Sequence, residues 1–192
     1  MNTIFNKLTT KRPLIDFFLA VSFLTRIPIP NVLKFENELM SAAWSFSLIG
    51  ALLGFFCGSI AWVLLYLNIP IGIVAFLTVG SMILLTGGLH EDGLADMADG
   101  GGGGKSADEK IAIMRDSQIG TYGALSLIFM LGMKVTAIDI ILNNHTILVC
   151  IISLVISGAL SRLSMVTVAF LFENASKTGL GHFAGKPTLN SI

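Results

Sequence analysis

Charge is what this sequence has least of. Lys and Arg number 12 among 192 residues, Asp and Glu another 12, and the formal net charge is zero. With 54% of residues hydrophobic and only 12% charged, too little polar surface exists to coat a soluble domain. A polytopic membrane protein is the class that fits. The even balance also excludes nucleic acid as a partner, because such binding needs a basic face. Cysteine is scarce as well. Cys57 and Cys150 both lie inside apolar runs, so no disulfide framework is implied and the compartment stays open. No secretory signal is expected either. Asp16 and Arg26 confine the first apolar run to Phe17–Thr25, too short to span and without a small-residue cleavage site. That stretch is expected as a re-entrant or interfacial helix, ended by Ile27-Pro28-Ile29-Pro30, where prolines remove donors and bias their predecessors away from helix.

Long apolar runs are what the chain does have. Met40–Leu67 reads as the first span, with Trp44, Trp62 and Tyr66 as interfacial anchors toward its ends. Gly50, Gly54 and Gly58 recur every four residues along it, a spacing that lets a second helix approach closely. Asn68 and Pro70 make a turn, and Ile71–Leu85 returns. Tyr122–Leu142 and Ile147–Phe172 form another pair about the turn Asn143-Asn144-His145. The expected fold is all-α: a polytopic integral membrane helical bundle of about four spans plus the N-terminal re-entrant or interfacial helix. Residues 1–192 form one membrane-embedded domain in this reading. With the N-terminus inside, every Lys and Arg outside the spans falls on the cytoplasmic side. Two cations remain within spans. For Lys134, snorkelling or pairing with Asp139 is the ordinary explanation. Arg162 has a guanidinium suited to phosphate recognition.

Between the runs, residues 86–123 gather seven carboxylates (Glu91, Asp92, Asp96, Asp99, Asp108, Glu109 and Asp116) among glycines. Acidic groups at a bilayer edge need a reason. Asp92, Asp96 and Asp99 are spaced i, i+4, i+7, which on a helix puts them within roughly 60° of one another. Such a face repels itself unless a cation sits there, and hard oxygen ligands suit Mg²⁺ or Mn²⁺ completed by phosphate oxygens. His90 points roughly opposite on the same helix, as a base, a substrate contact or a structural histidine. Glu91 also lies off the aspartate face. Gly100–Gly104 followed by Lys105-Ser106 invites a P-loop reading, which fails because Asp99 stands where the first glycine is needed and no strand precedes it. A phosphate-cradling loop and a plain linker are both open for those glycines. Ser106 and Glu109 have the spacing of a capping box. Arg115-Asp116-Ser117 leads into the next span, whose helix start offers N–H groups to phosphate, with Arg115 adding charge.

These residues carry a resemblance. His90-Glu91-Asp92-Gly93-Leu94-Ala95-Asp96-Met97-Ala98-Asp99-Gly100 and Met114-Arg115-Asp116-Ser117-Gln118-Ile119-Gly120-Thr121-Tyr122-Gly123 resemble the cobalamin synthase (adenosylcobinamide-GDP ribazoletransferase) family. Phe23-Leu24-Thr25-Arg26-Ile27-Pro28, Gly158-Ala159-Leu160-Ser161-Arg162 and Gly179-Leu180-Gly181 resemble further stretches of it. The resemblance implies a Mg²⁺-dependent transferase. It would join adenosylcobinamide-GDP to α-ribazole or its 5′-phosphate, release GMP, and work in a bacterial or archaeal cell membrane with its acidic segment in the cytoplasm. Asp92, Asp96 and Asp99 would hold the metal. Asp116 and His90 are the candidates for catalysis, and Arg26, Arg115, Ser117 and Arg162 for substrate contact. Homo-oligomers and other cobalamin-assembly enzymes are the partners such a family suggests. Family members continue through one or two further spans, so a chain ending at Ile192 is expected to be a shortened form. Two alternatives stand beside this reading. One is a CDP-alcohol phosphotransferase, whose Ala-Arg would have to fall where Gly103-Gly104 stand; the other is an ion transporter with broken helices.

Overall fold

In the computed structural model, residues 13–29, 38–175 and 179–188 are described. All the regular elements among them are helical. Helix α1 (Pro13–Leu24) opens on a proline, which costs nothing at a position whose N–H has no helical partner. It is longer than the expected Phe17–Thr25. Asp16 does not end it, because the carboxylate is buried on the same face as Ala20 and Leu24. That face packs on a 3₁₀ segment, Leu39–Ser45, and Phe23 stacks on Phe46 with ring centroids 6.4 Å apart.

The 3₁₀ segment runs directly into α2 (Phe46–Tyr66), so Leu39–Tyr66 is one long apolar rod. Helix α3 (Ile71–Thr86) returns, α4 (Leu89–Gly103) turns away, and α5 (Ala107–Met114) folds back on α4. Helices α6 (Thr121–Asn144) and α7 (Ile147–Leu171) make the second antiparallel pair, and α8 (Leu180–Phe183) is a single turn. Three helices among the described residues are long and apolar enough to cross a membrane: Leu39–Tyr66, Thr121–Asn144 and Ile147–Leu171. The α3–α4 pair, bent by 90°, makes a fourth as a broken or re-entrant span. The all-α polytopic fold is therefore as expected.

The glycine seam of α2 finds its partner in α7. A side chain on Gly50 would strike the Gly158 carbonyl, one on Gly54 the Leu154 carbonyl, and one on Gly58 would lie 2.9 Å from Ile151 Cγ1. Rising numbers on α2 meet falling numbers on α7, so the helices are antiparallel and the α2–α3 and α6–α7 turns share one end of the bundle. Small residues let backbones touch where lipid offers no hydrophobic drive.

Helix lengths then decide where α4 can go. At 1.5 Å per residue, the 16 residues of α3 reach about 24 Å and the 25 of α7 about 38 Å from that shared end. Helix α3 stops short, and α4 occupies the recess beyond it.

Gly158→Val should force α2 and α7 apart. We expect a loss of about 1–3 kcal/mol in unfolding free energy, measured by denaturant titration in detergent. A variant as stable as the parent would mean that the seam does not hold these helices.

Candidate active site

The bend that aims α4 needs two glycines. Gly87 and Gly88 have φ of 67° and 71°, a left-handed conformation that disfavours any side chain. Gly87 has a second reason to lack one, since a Cβ there would run into the Arg26 side chain. Arg26 is tied to the same corner by its own N–H, which donates to the Leu85 carbonyl at 2.7 Å.

From this corner α4 presents two chemically different faces. Asp92, Asp96 and Asp99 line one cavity of about 900 Å³, as the i, i+4, i+7 spacing implies, together with Arg26, Arg115, Asp116 and Ser117. These carboxylates are not equivalent. Asp99 is buried, and its two oxygens accept the Gly120 and Gly123 N–H groups at 2.8 Å each. Gly120 is the N-cap of α6 and Gly123 lies in its first turn, so Asp99 caps that helix from a distant point in the sequence. A Cβ at Gly123 would collide with the Asp99 carboxylate.

The carboxylates of Asp92 and Asp96 accept no hydrogen bond and join no ion pair among the described residues, and they stay available to the cavity. Asp116 Oδ1 accepts the Gln118 N–H at 3.1 Å, an Asx turn that starts the run into α6.

No group of three or more His, Cys, Asp or Glu among the described residues is placed to hold a metal ion unaided. Magnesium asks for less, since it commonly takes one or two carboxylates and completes its shell with substrate phosphate and water. The open Asp92–Asp96 pair fits that requirement. Asp99 keeps one lone pair on each oxygen after its two hydrogen bonds.

The other side of α4 carries His90, which looks into a second cavity with Arg162, and Glu91, which lines both cavities. Lys134 corrects an expectation here. Its ammonium lies 3.3 Å from Glu91 Oε1, whereas Asp139 accepts a hydrogen bond from Asn143 Nδ2. Sequence proximity pointed to Asp139, but the α3–α4 bend delivers Glu91 to the neutralising position. The glycine run is a second correction. Residues 100–103 are helical and belong to α4. A Cβ at Gly100 would lie 2.7 Å from Met114 Cγ, and one at Gly102 2.6 Å from the Tyr122 ring. These glycines let α5 and α6 dock on the end of α4. The capping box is present as expected, with Glu109 N–H donating to Ser106 Oγ at 3.2 Å and Ser106 N–H to Glu109 Oε2 at 3.3 Å.

Of the site residues expected from sequence, Arg26, Arg115, Asp116 and Ser117 line the cavity of the aspartates, and His90 and Arg162 line another. The N–H groups expected to face phosphate at the start of the span after Ser117 have another partner, since those of Gly120 and Gly123 donate to Asp99.

A family model described as cobalamin-5-phosphate synthase matches residues 16–191. The chain belongs to that family. Among its relatives, the adenosylcobinamide-GDP ribazoletransferase of Vibrio cholerae is 50% identical over 119 residues, covering 60% of this chain and 44% of the relative. The enzyme of that name from Shewanella frigidimarina is 45% identical over 119 residues, covering 62% of this chain and 45% of the relative. That from Brucella anthropi is 34% identical over 179 residues, covering 92% and 69%. The chain thus spans about half the length of the first of these relatives. No solved structure matches it.

Asp99→Ala should uncap α6 and cost about 2 kcal/mol. Hydrogen exchange of the Gly120–Gly123 amides is expected to quicken at least about tenfold. Unaltered exchange would show that another group caps the helix.

Proposed function

We propose that this member of the cobalamin-5-phosphate synthase family transfers the cobinamide phosphate of adenosylcobinamide-GDP to a hydroxyl of α-ribazole or its 5′-phosphate. A phosphate–oxygen bond forms to the acceptor, the diphosphate bridge breaks, GMP leaves, and the acceptor hydroxyl gives up its proton. The observation that carries this reading is the unshared Asp92–Asp96 pair facing a cavity bounded by Arg26 and Arg115, in a chain of this family. The family match favours this transferase over a CDP-alcohol phosphotransferase or a transporter.

Asp92 and Asp96 would hold a Mg²⁺ ion, with Asp99 beside them fixing the pair by anchoring α4. When bound, the ion neutralises charge on the diphosphate and makes GMP a better leaving group. Arg26 and Arg115 line the same cavity and suit phosphate oxygens by geometry and permanent charge. Ser117 offers a hydroxyl beside them. Asp116 lies inside the cavity and is the better placed group to accept the hydroxyl proton; His90 faces the second cavity. The placement of Lys and Arg supports an acidic segment on the cytoplasmic side of a bacterial or archaeal cell membrane.

GMP release from adenosylcobinamide-GDP, with α-ribazole and Mg²⁺, is the test in proteoliposomes carrying this chain. Asp96→Asn should cut the rate about 100-fold or more while insertion is intact. Parental turnover in that variant would remove the metal from the mechanism, and absence of GMP release by the parent would refute the transferase reading. Cys57→Ser should stay within about twofold, since its thiol lines neither the aspartate cavity nor the spaces behind α4. Complete loss would reveal thiol chemistry.

A further inference from the structure

Behind α4, on the face turned from the aspartates, lies the cavity of about 520 Å³ into which His90 and Arg162 look. Three polar side-chain atoms on its walls are buried without a hydrogen-bond partner: His90 Nε2, Glu91 Oε2 and Arg162 Nε. Arg162 is only 6% exposed and Glu91 9%. Buried polar atoms are normally paired, and an orphaned charged group is the costliest exception. Three around one space mark where a ligand completes the bonding.

The unused capacity defines that ligand. Lys134 engages Glu91 Oε1 and leaves Oε2 open as an acceptor. Arg162 Nη1 donates to Ser161 Oγ at 2.8 Å and leaves Nε–H open as a donor. Two permanent cations against one carboxylate favour an anion. An open carboxylate oxygen beside them requires that the same ligand also carry a donor. A phosphate ester with neighbouring hydroxyls meets both conditions.

A smaller space of about 240 Å³ opens from the same place. It shares Glu91, Lys134 and Ser157 with the polar cavity and continues between Ile138, Ile141 and Leu154. Its walls are apolar and suit a flat, uncharged ring. Thr86 and Glu91 line both the polar cavity and the aspartate cavity, so a ligand lying against Glu91 reaches toward the reacting phosphate.

We propose that this rear pocket receives the acceptor, a phosphorylated riboside with an apolar aromatic base. Its phosphate sits at Arg162, which Ser161 positions by accepting from Nη1 while donating to the Gly158 carbonyl at 3.0 Å; its sugar hydroxyls meet Glu91, and its base enters the apolar annex. The assignment rests on the transferase reading above. Arg162 and Ser161 are then specificity determinants for the 5′-phosphate, and they play no part in holding the donor.

The test is calorimetric binding to the full chain in phosphatidylcholine nanodiscs. The probes are α-ribazole 5′-phosphate, α-ribazole and inorganic phosphate, with adenosylcobinamide-GDP plus Mg²⁺ measured separately. We expect the phosphorylated riboside to bind at least about 30-fold more tightly than α-ribazole. Arg162→Gln should abolish that advantage and Ser161→Ala reduce it several-fold, with donor affinity held within about twofold. If Arg162→Gln fails to insert, Ser161→Ala and the space-filling Ser157→Val decide. Equal binding of both ribosides, or variants indifferent to the phosphate, would overturn the pocket while leaving the transferase reading intact. Inorganic phosphate binding as tightly as the riboside would overturn it as a bare anion site. Displacement of the riboside by added phosphatidylglycerol would overturn it in favour of a lipid headgroup. Failure of both the donor and the ribosides to bind would instead sink the transferase reading itself.

Discussion

Two adjacent glycines in the left-handed region set the geometry on which the rest depends. Without Gly87 and Gly88, an apolar helix from Ile71 would carry straight on, and its acidic continuation would project away from the bundle. The 90° bend instead lays α4 in the recess left by the shorter α3. Its aspartates then turn to one cavity, and Glu91 with His90 to another. A bend made of glycine alone would hinge freely. Arg26 packed across it, and Asp99 bonded to the start of α6 at the other end, hold α4 at both extremities.

That arrangement divides labour among carboxylates which look alike on paper. Asp99 is spent on two backbone amides and acts as a bracket. Glu91 neutralises Lys134, an ammonium that would otherwise stand uncompensated within an apolar span. Asp92 and Asp96 are left for the cavity, neighbours on one face of α4. In the proposed function a doubly charged cation would offset the charge of that pair, and a diphosphate substrate would supply the remaining ligands. Positioning and charge neutralisation are most of the task in phosphoryl transfer.

Much of this was legible in the sequence, and what was not has a common cause. Composition, span positions, the Gly50–Gly54–Gly58 seam and the Ser106–Glu109 capping box depend on residues near one another in sequence, and local rules reach them. The i, i+4, i+7 aspartate face was also visible, because helical period fixes it regardless of surroundings. The misreadings involve tertiary partners. For Lys134 the expectation was snorkelling or pairing with Asp139 five residues away, whereas its partner, Glu91, comes from another helix. Gly100–Gly103 suggested a loop by composition, since low helix propensity is a weak prior that docking by Met114 and Tyr122 overrides. Asp99 could not be told from Asp92 and Asp96 before the first turn of α6 was placed beside it.

Manganese binding followed by electron paramagnetic resonance, with adenosylcobinamide-GDP present, tests the central claim most directly. The parent chain should take up one Mn²⁺ whose spectrum broadens with ¹⁷O-labelled diphosphate, and Asp92→Asn with Asp96→Asn should lose it, whereas Arg162→Gln should keep it. Unchanged Mn²⁺ uptake after removal of both carboxylates would contradict the assignment of α4's acidic face as the metal-bearing surface.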